Sequence, residues 1–170
     1  MAEVPGWEGR FFEDFAVGDV YVHRLGRTVL EVDNVWFSLL TQNTAPIHVD
    51  RHYSEGTEFG RPLVDSTFTL ALVTGQSVPD VSQNVLANLG WDEVRLPHPV
   101  YEGDTIYSES EVLAVRESRS RPEVGIVTVR TTGSNQDGVV VITFTRTVMV
   151  YRRGRGPAGR RPRPAPGPAR

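Results

Sequence analysis

Residues 41–50 read Thr-Gln-Asn-Thr-Ala-Pro-Ile-His-Val-Asp, and residues 59–66 read Phe-Gly-Arg-Pro-Leu-Val-Asp-Ser. Asn43 stands five residues before His48, with Pro46 between them. An imidazole holds or releases a proton near neutral pH, whereas an amide can orient a water or polarise a carbonyl but cannot take up a proton as a carboxylate does. Aimed into one slot, the two suit proton transfer. Asp65 and Ser66 open the apolar run that follows. Asp65 has two readings, a helix N-cap or a carboxylate placed near His48, and helix-start N–H groups can stabilise a developing oxyanion. Arg61 and Arg95 are candidate anion holders, because guanidinium pairs bidentately with phosphate or carboxylate. Surface ion pairs are the competing reading for both arginines. His23, His52 and His98 lack a comparable setting and are read as structural or exposed. The chain has no glycine-rich phosphate loop, no cysteine or multi-histidine cluster and no Gly-x-Ser-x-Gly elbow, so neither metal nor acyl-serine chemistry is expected.

The elements that must position these side chains show as periodicities. Residues 20–24 and 27–32 read as short β segments around Gly26. Asp33 offers an N-cap to a helix through about Leu40, with Val35, Trp36, Leu39 and Leu40 at helical spacing. The irregular stretch from Gln42 to Pro46 interrupts it, and Asp50 can cap one further turn. From Ser66 to Gly75 the chain is apolar almost all round, which predicts a helix buried on most sides. Residues 94–96, 105–115, 125–132 and 139–150 are rich in alternating β-branched residues, and Asp137-Gly138 sits where a hairpin turn belongs. One buried helix followed by long antiparallel strands predicts an α+β domain with the sheet wrapped round the helix.

With 39% apolar residues in 170, one domain can bury a full core without staples. The absence of cysteine fits a reducing cytoplasm. The start lacks a basic and an apolar leader region, and no run approaches the roughly 20 apolar residues of a membrane span, so a soluble, cytoplasmic chain with no membrane partner is expected. Seven of the 18 basic residues, all arginine, lie from Arg152 onward, while all 21 acidic residues precede Tyr151. Residues 1–151 thus carry 11 basic against 21 acidic side chains, a net of −10, which is electrostatically wrong for a phosphate backbone, and no nucleic-acid partner is expected. Residues 154–170 have no means of burying an apolar face and read as a disordered Arg/Pro/Gly-rich tail after a domain spanning 1–153.

These residues resemble the signature of MaoC-like dehydratases and (R)-specific enoyl-CoA hydratases, which typically read Asp-x-Asn-Pro-x-His-x-Asp and then Phe-x-x-Pro-Ile-x-His-Gly. The resemblance runs from Phe11-Phe12-Glu13-Asp14-Phe15 through Pro97-x-Pro99-Val100-Tyr101-x-Gly103-Asp104-Thr105 to Asn135-Gln136-Asp137-Gly138. Asn43 stands where an acidic residue is usual, and Asp65-Ser66 where His-Gly is usual; mesaconyl-CoA and itaconyl-CoA hydratase-like members resemble the chain more closely. The resemblance implies a hot-dog fold and reversible hydration of the α,β double bond of an acyl-CoA thioester, with Asn43, His48, Asp65 and Ser66 in the site. With such a substrate, the anions open to Arg61 and Arg95 are the coenzyme phosphates or a substrate carboxylate, beside their reading as surface ion pairs. No cofactor is expected beyond coenzyme A as part of the substrate. The departures incline the acyl group towards mesaconyl-CoA or itaconyl-CoA. A hot-dog thioesterase and a non-catalytic acyl-CoA binder are the alternatives. No internal repeat marks a fused double unit, so a homodimer is expected.

Overall fold

The β-branched runs pair into one antiparallel sheet, and the helix between them is its filling. The computed structural model describes residue 4 and residues 6–157. In chain order come β1 (Val20–Val22), β2 (Arg27–Thr28), α1 (Glu31–Leu40), α2 (Arg51–Glu55), α3 (Ser66–Ser77), β3 (Val85–Arg95), β4 (Thr105–Glu117), β5 (Val124–Ser134) and β6 (Val140–Tyr151). The strand order is β1-β4-β5-β6-β3, with β2 also pairing on β4, and every pairing is antiparallel. The β5–β6 turn is held by the Asn135 side chain, whose Oδ1 accepts from the N–H groups of Asp137 and Val139. Gly138 takes the positive φ of 76° that the turn needs. The expected boundary at residue 153 lies within the described residues, whereas residues 158–170 of the expected tail lie outside them.

Helix α3 crosses the sheet over β4 and β5. Thr69, Val73 and Ser77, four residues apart, form its buried stripe. A Cβ on Gly133 of β5 would come within 2.8 Å of the Val73 side chain, so this glycine lets the helix lie against the sheet. Phe12, Phe15, Val112, Val127, Val129 and Val148 build one half of the core. Val29, Val73, Ile106, Ile142 and Phe144 are among those building the other. Each large side chain fully removed from water contributes about 1.5–3 kcal/mol.

Three expectations need correction. First, α3 is buried along one stripe only: Ala71 and Gly75 are exposed and Leu70 and Leu72 half-buried. Its outer flank forms with Trp91 of β3 a groove of about 390 Å³ lined by Thr67, Leu70, Ala71, Thr74 and Gly75. Secondly, the strand seen in the sequence only at residues 94–96 begins at Val85. Asn88, Gly90 and Asp92 weaken its pattern, and its register on β6 shifts three times. Thirdly, β2 stops at Thr28 and α1 starts at Glu31. Asp33 is therefore not the N-cap; it lies in the first turn, accepts the Leu30 N–H at 2.8 Å and grips Arg27 through two bonds of 2.6 and 2.7 Å. Among the described residues no helix is long and apolar enough to cross a membrane.

Candidate active site

Helix α1 delivers the chain to the site. It ends by turning left-handed at Gln42, φ 57°, a conformation costing a non-glycine residue about 1–2 kcal/mol. The Asn43 N–H returns to the Ser38 carbonyl at 2.9 Å, which closes the helix end and turns Asn43 inward. Pro46, with φ preset and no N–H to satisfy, then starts a single 3-10 turn over Pro46–His48. Asp50 caps α2 as expected, accepting the Tyr53 N–H at 2.9 Å.

The half-buried His48 ring bonds through Nδ1 to the carbonyl of Leu63 at 2.9 Å. A carbonyl can only accept, so Nδ1 carries the proton, and in the neutral ring Nε2 keeps its lone pair. Asp65 is 2% exposed. Its Oδ1 accepts from the backbone of Thr67 at 2.7 Å, from Phe68 at 3.3 Å and from the Thr67 hydroxyl at 2.6 Å, so it is the N-cap of α3. Its Oδ2 accepts from Nδ2 of Asn43 at 2.6 Å. Asn43 in turn accepts the Ala45 N–H at 3.0 Å through Oδ1. Burial by itself would raise the Asp65 pKa, but the hydrogen bonds from Thr67, Asn43 and the helix N–H groups outweigh it and hold the carboxyl below its ordinary value. Asp65 is thus an anion at neutral pH whose oxygens are engaged by capping and by bracing Asn43. Because its folded pKa is depressed, the stability it contributes is present above the carboxylate range and lost as pH falls through it.

A residue that sequence reasoning passed over joins these parts. Asn34, 6% exposed on α1, donates from Nδ2 to the carbonyls of His48 at 2.8 Å and Leu63 at 2.9 Å, and accepts the Asp65 N–H at 2.8 Å through Oδ1. Its position on the polar face of α1, opposite the apolar stripe of Val35, Trp36, Leu39 and Leu40, gave no signal of burial in the sequence. Helix α1 is inverted in this sense: Trp36, Leu39 and Leu40 are 66, 70 and 80% exposed, while Asn34 and Ser38 are buried.

The structure therefore brings Asn43, His48 and Asp65 into one network through Leu63 and Asn34. Ser66 adjoins it as the first residue of α3, with its side chain exposed. Arg61 lies two residues before Leu63 and stacks its guanidinium 3.7 Å over the Tyr101 ring. Arg95 is exposed at the end of β3 and donates to its neighbour's carbonyl, without joining the network. His23 is buried between Asp80 at 3.1 Å and Ser110 at 2.9 Å. Ser110 is fully buried, so this triad-like group is structural. Among the described residues no cluster of three or more metal-ligating side chains occurs.

An antiparallel sheet laid over one central helix, with His48 bonded to Leu63 just before that helix begins, is a hot-dog architecture, the class shared by solved neighbours. One solved neighbour, a MaoC-domain dehydratase from Chloroflexus aurantiacus, superposes with a TM-score of 0.85 and 32% identity over 95% of this chain and 46% of its own. A Mycobacterium tuberculosis protein described as a double hot-dog superposes at 0.77 over 91% of this chain and 47% of its own, at 23% identity, a likeness of fold. A sequence model of the mesaconyl-CoA hydratase family matches residues 6–159, and the chain belongs to that family. Among its relatives are a mesaconyl-CoA hydratase from Cereibacter sphaeroides, 37% identical over 85% of this chain, and a β-methylmalyl-CoA dehydratase from Chloroflexus aurantiacus, 34% identical over 85%. The chain spans only 42 and 41% of their lengths.

Proposed function

We propose that this chain adds water reversibly to the α,β double bond of a short, branched dicarboxylic acyl-CoA such as mesaconyl-CoA. The observation that carries the reading is the Nδ1–H bond of His48 to Leu63, three residues before α3, which leaves Nε2 as a base in a member of this family. Nε2 takes a proton from water, the water oxygen bonds to the β-carbon, and the π electrons move onto the thioester oxygen as an enolate. The imidazolium then returns its proton to the α-carbon, so one histidine serves both transfers. Thr67 and Phe68 N–H are taken up by Asp65, which leaves the Ser66 N–H, at the positive end of the α3 dipole, as the donor for the enolate oxygen. Asn43, its oxygen committed to Ala45, offers its remaining amide hydrogen to the water or the thioester. The addition is redox-neutral and takes coenzyme A only as part of the substrate. Absence of cysteine suits work in the reducing cytoplasm, where acyl-CoA pools lie.

Incubation with crotonyl-, mesaconyl- and itaconyl-CoA, separating hydrated esters from free coenzyme A by mass, tests this directly. Hydrated ester is expected; free thiol alone would mean a thioesterase, and ligand-induced melting shifts without turnover a binder. Replacement by Met of the arginine that holds the second carboxylate, Arg61 or Arg95, is expected to penalise mesaconyl-CoA at least about tenfold more than crotonyl-CoA, the scale of one charge-assisted pair. Equal losses on both esters would assign that arginine to the coenzyme.

The partner is a second hot-dog unit, and for this chain we infer a second copy. The outer flank of α3 and the free edge of β3, with Leu89 and Trp91 49 and 44% exposed, are unpartnered in the single chain, and the relatives are more than twice as long. Light scattering is expected to give about twice 18.9 kDa, and a monodisperse monomer would contradict the inference.

A further inference from the structure

We propose that Asn34 is a positioning residue for His48, setting the proton on Nδ1 and the direction in which Nε2 points; the catalytic half of this rests on the hydratase reading above. Its carboxamide uses both donors and its acceptor, and all three partners are backbone groups of the site: the carbonyl of His48 itself, the carbonyl that His48 Nδ1 binds, and the N–H of Asp65. The Leu63 oxygen thus takes one donor from Asn34 and one from His48, both at 2.9 Å. With two lone pairs filled, that oxygen is fixed in direction, and the ring bonded to it is fixed in turn. Holding the His48 carbonyl at 2.8 Å anchors the other end of the residue. Through Asp65 the same amide registers His48 against Asn43, since Asp65 holds Asn43 by its Oδ2.

Only an asparagine fills this place. Aspartate offers no hydrogen to two carbonyls, leucine offers neither donor nor acceptor, and glutamine adds a methylene in a site 6% exposed. The same three bonds also hold α1 in place, beside the edge-on packing of Phe37 on Phe68 of α3 with centroids 5.5 Å apart, so the test must separate positioning from structure.

The test reads the ring and the turnover separately. Nitrogen-15 NMR of histidine-labelled, full-length protein, with His48 assigned by its loss in His48→Gln, is expected to show the neutral ring protonated on Nδ1. Asn34→Asp and Asn34→Ala are each expected to convert it to a mixture with the Nε2-protonated form. For hydration, kcat is expected to fall about 10- to 100-fold with KM within about threefold, the signature of a misaimed group rather than lost ester binding. A wild-type ring protonated on Nε2 overturns the proposal without any variant, which covers the case in which neither variant folds. An unchanged tautomer in a folded variant also overturns it, whatever happens to kcat, because a structural role alone leaves the ring as it was. If wild-type protein hydrates none of the three esters, the hydratase reading fails, while the tautomer measurement still decides the role of Asn34.

Discussion

Replacing His48 by alanine is expected to lower kcat for hydration by about 10²-fold or more, the usual scale for loss of a general acid or base. Here the same ring is asked to serve as both. The melting temperature should move little. The Leu63 carbonyl that His48 leaves is still held by Asn34 at 2.9 Å, so no buried acceptor is orphaned, and the loss is one half-buried hydrogen bond of about 0.5–1.5 kcal/mol. Steady-state kinetics on mesaconyl-CoA beside thermal melts checks both halves of the expectation. A variant that melts normally and keeps most of its turnover would remove His48 from the chemistry.

Asn43→Asp is expected to be the most damaging conservative change in the site. It sets a second carboxylate at the 2.6 Å contact that Asn43 now makes with Asp65. At an effective dielectric of about 20, two like charges so close repel by on the order of 6 kcal/mol, enough to force a shared proton onto the pair. A carboxyl whose folded pKa is raised contributes stability below its unfolded value and loses it as pH rises through the folded one. The variant should therefore melt close to wild type near pH 4 and fall progressively below it as pH rises through neutrality. Exchanging the pair, Asn43→Asp with Asp65→Asn, restores one amide and one carboxylate. The helix cap survives, because asparagine caps about as well as aspartate, and melting should recover at neutral pH. Non-additivity of the two changes measures their coupling. If the single variant is as stable as wild type at pH 8, the contact between residues 43 and 65 is not what holds the site. If the double variant recovers its fold but not turnover to within about tenfold, or 1.4 kcal/mol of barrier, the charge at position 65 itself takes part in the chemistry.

Much of this site is written locally. The left-handed turn at Gln42 is not legible in the chain. The break at Gln42 to Pro46, the Asp50 cap and the capping reading of Asp65 depend on residues within a few positions of one another, and local chemistry of that kind is legible in a chain read by itself. So is the architecture, because period-two runs and an apolar helix admit few arrangements. The strand from Val85 was legible only at its end, since bulges break the alternation on which the reading depends. What the sequence could not determine is which groups meet across 15 to 31 residues: Leu63 with His48, Asn43 with Asp65, and Asn34 with Leu63 and Asp65. Amphipathic spacing did not tell which face of α1 is buried, for the same reason. Its apolar residues mark a stripe, but the choice of face was made by the backbone carbonyls and N–H groups of the site. Those groups, once buried, must find partners, and they found them in Asn34. The sequence by itself marked the central helix, most of the long strands and the candidate histidine, and offered the cap as one of two readings of Asp65, because the signals for these are close in the chain. Tertiary structure alone decided the proton on Nδ1 and the bracing of Asn43, because a hydrogen bond is set by distance and direction between groups that only the fold brings together.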